Sequence, residues 1–273
     1  MLTSFRDDVQ IAIKIWNELL LEQFFDDIDY IYVKGSAVKP WKSIIDYVPQ
    51  ISDIDIHVKI RNDHPSELVQ PSLETSLKVG PEYEKRFIKF NVNSRRSYNH
   101  IPRIQMVLLN NVLDRKFNFV FPRIKDIHIL YGEPHFPEEV SGDYIRNQDR
   151  EELLKLPVLL QKSYKNLLDR SDPLEMYILL RRICFVISPS PVRLLTQLLQ
   201  DQDPYDIWTW NRSTIKQNLE VCNLRDLASE YSQYYTLGWD LYNKKFQDTD
   251  LFVKVIVKGL SALQLVYNEI IKF

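Results

Sequence analysis

Gly35-Ser36 and, after sixteen intervening residues, Asp53-Ile54-Asp55 are the residues whose types and spacing could do chemistry. Two carboxylates separated by one residue on an extended chain project to the same face. They repel unless a cation lies between them, and a hard divalent ion such as Mg²⁺ suits their oxygens. A glycine lets the backbone approach an anion closely, while the Ser36 hydroxyl and the adjacent amides offer donors to phosphate. His57 follows on the face of Asp53 and Asp55, where an imidazole can contact phosphate or carry a proton near neutral pH. From Lys85 to Arg103 the chain carries six basic residues and no acidic one. Arg95, Arg96 and Arg103 in that run are candidates to meet a polyanion.

The elements that must position these residues are readable from periodicity. Phe5, Val9, Ile13, Trp16, Leu20 and Phe24 recur every three to four residues and predict an amphipathic helix over 5–25. Three segments alternate with period two: 28–34, 53–60 and 103–109. Their apolar members are Ile31 and Val33; Ile54, Ile56, Val58 and Ile60; and Ile104, Met106 and Leu108. In a shared sheet, one face would pack on helices and the other would collect Tyr30, Tyr32, Lys34, Asp53, Asp55, His57, Arg103 and Gln105. A fourth, shorter strand is expected at 127–131, closed by Gly132. Beyond about residue 145 nearly everything reads as helix, with starts expected at Asp172, Ser190, Ser213, Asn223 and Asp248. The expected architecture is α+β: a small mixed sheet with flanking helices over 1–143, then an all-helical domain over 144–273.

The order helix, strand, Gly-Ser, strand with Asp-x-Asp, helix, strand resembles the DNA polymerase β-like nucleotidyltransferase superfamily over roughly residues 5 to 135. Kanamycin-type and minimal nucleotidyltransferases are among its members. Ile129-Leu130-Tyr131-Gly132 and the helical second half are similar to features of those members. The resemblance implies that Asp53 and Asp55 hold Mg²⁺ on an NTP, ATP being the expectation. It also implies that Gly35 and Ser36 bind the outer phosphates, helped by Lys42, Arg95, Arg96 and Arg103. A hydroxyl on a small molecule, a protein or an RNA end would attack the α-phosphorus, with pyrophosphate leaving. The sequence departs from the family pattern in its long loop, Ala37 to Ser52, with Lys39, Pro40, Trp41 and Lys42 in place of Arg-Gly. It departs again at Gln105, which occupies the expected position of a third carboxylate; its carbonyl can coordinate weakly but cannot act as a base. Asp114, Asp126 or Glu133 could substitute. The alternative reading is therefore a catalytically degenerate relative that binds nucleotide or nucleic acid as an adaptor.

Composition narrows the field. The chain has 273 residues, with 35 Lys and Arg against 37 Asp and Glu and 45% hydrophobic residues, an ordinary globular balance that argues against disorder. Near-neutral charge argues against a protein that coats nucleic acid. Two cysteines, Cys184 and Cys222, exclude a disulfide framework and a Cys-rich zinc site. No run of about 18 apolar residues occurs, and the first residues lack a basic stretch followed by an apolar one, so a cytoplasmic protein is expected. The plainest reading of each feature is structural: Asp53 and Asp55 as a strand-initiating turn, the basic run as a solvated helix face, the second-half aromatics as core.

Overall fold

The computed structural model describes residues 2–61, 66–91, 100–114, 119–168 and 173–273. Arg95, Arg96 and Asp172 lie outside the described residues. Contacts divide the chain into two compact units, Met1–Lys39 with Ser52–Glu139, and Pro40–Ile51 with Val140–Phe273. A small mixed α+β domain is followed by an all-helical region, and the loop after Gly-Ser belongs with the helices.

The first unit begins with α1 (Leu2–Phe24), which runs into β1 (Ile28–Lys34) and, after the loop, β2 (Ile54–Ile60). Then come α2 (Leu73–Asn91), β3 (Ile104–Leu108), α3 (Leu109–Asp114) and β4 (His128–Tyr131). Among the described residues the sheet has four strands in the order β3-β2-β1-β4. β1 is antiparallel to both β2 and β4, while β2 and β3 run parallel.

The two-residue alternation gives the sheet two unlike faces. Ile31, Val33, Ile54, Ile56 and Val58 are all fully buried. They share the first unit's core with Val9, Ala12, Leu19 and Leu20 of α1 and Phe87 of α2. The other face does collect polar side chains, but it is not simply polar. Tyr30 and Tyr32 are buried there in a cluster with Leu109, Phe119, Phe121, Ile127 and Phe136. Residues far downstream, from Leu109 to Phe136, thus cover part of a face that local alternation assigns to polar groups. Gly132 ends β4 with φ +68°, and a methyl there would sit 2.2 Å from the Asp29 carbonyl, so only glycine fits.

The second unit contains, among the described residues, eight α-helices: α4 (Gly142–Leu154), α5 (Leu156–Leu168), α6 (Pro173–Ile187), α7 (Ser190–Leu198), α8 (Pro204–Thr209), α9 (Arg212–Val221), α10 (Arg225–Asn243) and α11 (Thr249–Ile270). Tyr231, Tyr234, Tyr235 and Trp239 of α10 are buried, as are Val255, Ile256, Leu263 and Val266 of α11. These aromatics of α10 are core, whereas Trp208 and Trp210 are half-buried. No described helix is long and apolar enough to cross a membrane.

Helix starts follow local chemistry, with three corrections. Asp248 caps α11 as expected, accepting from the Leu251 amide at 3.0 Å. Ser190 lies inside α7, and its hydroxyl donates back to the Val186 carbonyl at 2.7 Å, because Pro189 already occupies the cap. Asn211, rather than Ser213, caps α9 by accepting from the Thr214 amide at 2.9 Å. Asn223 ends a helix instead of starting one. It takes a left-handed φ of 60°, with the Leu224 amide donating to the Leu219 carbonyl at 2.8 Å, a Schellman close.

Candidate functional site

The site lies at the end of the sheet where β1 leaves and β2 enters. Cross-strand register assembles it. Asp55 faces Lys34 on β1 and Gln105 on β3, and His57, one step further in, faces Tyr32 and Val107. Register partners project to the same side of a sheet, so Lys34, Asp55 and Gln105 form one row. Asp53 stands just before β2, where the Ile54 amide donates to the Arg103 carbonyl at 2.9 Å. That bond fixes the backbone of Arg103 beside the first carboxylate.

Gly35 turns the chain immediately after β1, in a φ of +84° that L side chains rarely adopt. A methyl group there would come within 3.2 Å of Asp55 Oδ2, so the missing side chain keeps space open against that carboxylate. Gly35–Ala37 forms one tight 3₁₀ turn, with the Val38 and Lys39 amides donating to the Gly35 carbonyl. From α1, Arg6 donates to the Lys39 carbonyl at 2.9 Å and to the Val38 carbonyl at 3.4 Å. This arginine holds the Gly-Ser turn in place, and nothing in its local sequence marks it for that role.

The two carboxylates have different surroundings. Asp53 accepts a 2.5 Å charge-assisted bond from Arg103. Asp55 accepts no hydrogen bond among the described residues. Burial, and secondarily the nearby Asp53 charge, push its carboxyl well above the ordinary carboxylate range, against the opposing pull of Lys34, Arg103 and Lys39. Burial also draws Lys34 below the usual lysine range, although Asp55 works the other way. The Lys34 ammonium lies 5.0 Å from the centre of the Phe119 ring.

His57 is 3% exposed and stacks on Tyr32 with ring centres 4.7 Å apart. Burial, with a smaller contribution from Lys34, lowers its pKa to about 2, so it is a neutral ring at physiological pH and a poor base. Tyr32 Oη, His57 Nδ1 and Gln105 Oε1 on this face are buried polar atoms with no hydrogen-bond partner among the described residues. Such atoms are uncommon in folded proteins and each costs stability.

The other candidates are placed as follows. Lys42 belongs to the second unit, where its amide donates to Asp46 Oδ2 at 2.7 Å. In the basic run, Arg86 is engaged by Glu22 at 2.7 Å and Glu82 at 3.0 Å, as a solvated helix face would be. No cluster of three His, Cys, Asp or Glu suited to a metal occurs among the described residues. The oxygen groups that this end of the sheet offers are two carboxylates, Asp53 and Asp55, and the Gln105 amide carbonyl. They fit Mg²⁺ in ligand chemistry, in the space left by Gly35 and in the unpartnered Gln105 oxygen. Comparison with family models, with curated proteins and with solved structures finds no match for this chain.

Proposed function

We propose that this chain is a Mg²⁺-dependent nucleotidyltransferase of the DNA polymerase β-like type, moving a nucleoside monophosphate from an NTP, expected to be ATP, to a hydroxyl acceptor. The observation that carries the reading is the row Lys34–Asp55–Gln105, with Asp53 beside it and a left-handed Gly35 against Asp55. Asp53, Asp55 and the Gln105 carbonyl would hold the metal, which supplies charge neutralisation on the triphosphate. Gly35 and Ser36 would admit the outer phosphates to the backbone, with Arg103 and Lys34 as nearby cations. In the transfer, a bond forms between the acceptor oxygen and the α-phosphorus, the bond to the bridging oxygen breaks, and pyrophosphate departs. The Gln105 amide cannot take the hydroxyl proton and a protonated His57 would be too acidic to hold it, so the proton passes to solvent water as the new ester bond forms. Phosphoryl transfers pass through loose transition states and draw most of their catalysis from positioning and charge, so a missing base slows such a site without disabling it.

Gln105 also favours a second reading, in which the site binds nucleotide without turning it over and the chain acts as an adaptor. Calorimetric titration with each of the four ribonucleoside triphosphates, with Mg²⁺ and then with EDTA, tests both. Metal-dependent binding that disappears in Asp53→Asn/Asp55→Asn is the expected result. Undiminished binding of Mg·NTP to the double variant would remove the site assignment. Release of pyrophosphate from the bound nucleotide when hydroxyl acceptors are added then separates the transferase from the adaptor.

A further inference from the structure

Arg146 on α4 and Arg193 on α7 hold their charges in opposite ways within the helical unit. Arg146 is engaged by its own chain: Nη2 donates to the carbonyls of Leu199, Gln200 and Gln202 at 2.6 to 3.2 Å, and Nε donates to the Gln200 side-chain oxygen at 3.3 Å. Arg193 makes no hydrogen bond among the described residues. Its buried Nε stands 3.5 Å from Asp149 Oδ1, an ion-pair distance too long for a good hydrogen bond. Its guanidinium carbon lies 5.8 Å from the centre of the Trp208 ring. Both neighbours are themselves fixed, because the Trp208 indole and the Thr196 hydroxyl donate to Asp149 Oδ2. Asp149 therefore balances the charge of Arg193 from its Nε side and leaves the two Nη nitrogens with open donors. The side chain keeps 23% of its surface exposed, so a ligand can reach it. A guanidinium presents its donors as a rigid fork that matches the paired oxygens of a carboxylate or a phosphate.

We propose that Arg193 anchors an oxyanion site in the helical unit, taking the carboxylate or phosphate group of a ligand on its two Nη donors. Asp149 and Trp208 are positioning residues there, holding the fork in place from α4 and α8. The site is independent of the nucleotidyltransferase reading, since every residue in it belongs to the second unit.

The test follows the Trp208 indole N–H, which shares Asp149 with Arg193, by ¹H–¹⁵N NMR of the full chain, the resonance being assigned from Trp208→Phe. Inorganic phosphate and acetate are titrated separately against sodium chloride, at one pH and constant ionic strength. The expected result is a saturable shift with phosphate, with acetate or with both, and the anion that saturates names the ligand group. Arg193→Met should weaken that binding by about tenfold, and Arg193→Lys, which keeps the charge without the fork, should fall between the two. Asp53→Asn/Asp55→Asn should bind as wild type does; loss of the shift in that variant would place the anion at the sheet and overturn the proposal. Shifts that stay linear with both anions, or that Arg193→Met leaves unchanged, overturn it as well. If Arg193→Met does not fold, the Arg193 Nε–H resonance of wild type, assigned from Arg193→Lys, decides. It should move with the same saturation as the indole, and an unmoved signal overturns the site.

Discussion

Two aspartates, Asp46 in the helical unit and Asp55 in the sheet, show how differently this chain treats a carboxylate. Asp46 is 1% exposed and accepts from the Lys42 and Ser43 amides, the Ser213 amide and the Ser213 hydroxyl, at 2.7 to 3.0 Å. Its work is to tie the 40–51 segment to the start of α9, helped by Arg212 donating to the Ile45 carbonyl and Trp239 to the Ile44 carbonyl. Asp55 has no hydrogen-bond donor among the described residues, a glycine held back from it, and a carboxyl pushed upward by burial. A carboxylate whose lone pairs are filled by its own chain is finished as structure. One left open, beside another carboxylate and an unpartnered amide oxygen, is the kind of group on which the proposed function rests.

The largest effect that would sharpen this contrast is on stability. Asp46→Ala strands several buried donors and should cost about 3 kcal/mol, read from the urea midpoint. Asp55→Asn should leave that midpoint within about 1 kcal/mol of wild type. If the two variants unfold alike, the distinction between a structural and a functional aspartate collapses. Next comes binding: Asp53→Asn/Asp55→Asn should weaken Mg·NTP by roughly 100-fold, equivalent to about 2.7 kcal/mol, whereas a Ser213→Ala variant should bind normally. Gly35→Ala should cost about 1 to 2 kcal/mol of stability from its left-handed φ, and should weaken nucleotide further by crowding Asp55. Unchanged nucleotide affinity in that variant would show that the space beside Asp55 is not used.

The smallest effect concerns a third aspartate that falls between the two. Asp149 accepts from the Thr196 hydroxyl at 2.9 Å and the Trp208 indole at 3.1 Å, with Arg193 at 3.5 Å, yet burial still raises its pKa. A raised carboxyl contributes stability that is complete below the unfolded value, near 4, and is lost as pH rises through the folded value. Asp149→Asn, which cannot ionise, should therefore gain melting temperature relative to wild type between pH 4 and pH 7. A constant difference across that range would mean that Asp149 is satisfied as fully as Asp46.

Much of the first unit was legible because strands and helices carry their own period. The segments 28–34, 53–60 and 103–109 differ from β1, β2 and β3 by at most one residue at either end. Placing Asp53, Asp55, His57 and Gln105 on one face needed only alternation. Helix caps were less legible, since Ser190 and Ser213 have the right residue type near a helix start while a neighbour holds the cap itself. Arg103 was visible as a basic residue entering β3, but its engagement with Asp53 depends on two parallel strands meeting fifty residues apart. The role of Arg6 was not visible at all, because a helix residue that bonds a distant loop carbonyl leaves no mark on its own neighbourhood.

By itself the sequence determined which residues share a face, where the strands and most helices run, and that a glycine and two carboxylates stand at the edges of adjacent strands. These follow from steric preferences and burial patterns spanning a few residues. Only the tertiary structure decided that Lys34 and Gln105 flank Asp55, that Arg103 holds Asp53, that Phe119, Phe121 and Phe136 cover the tyrosines of the polar face, and that residues 40–51 belong to the helical unit. Those outcomes depend on register and on contacts between distant segments. The chain reaches them by satisfying buried groups, and no local period records which distant residue will do so.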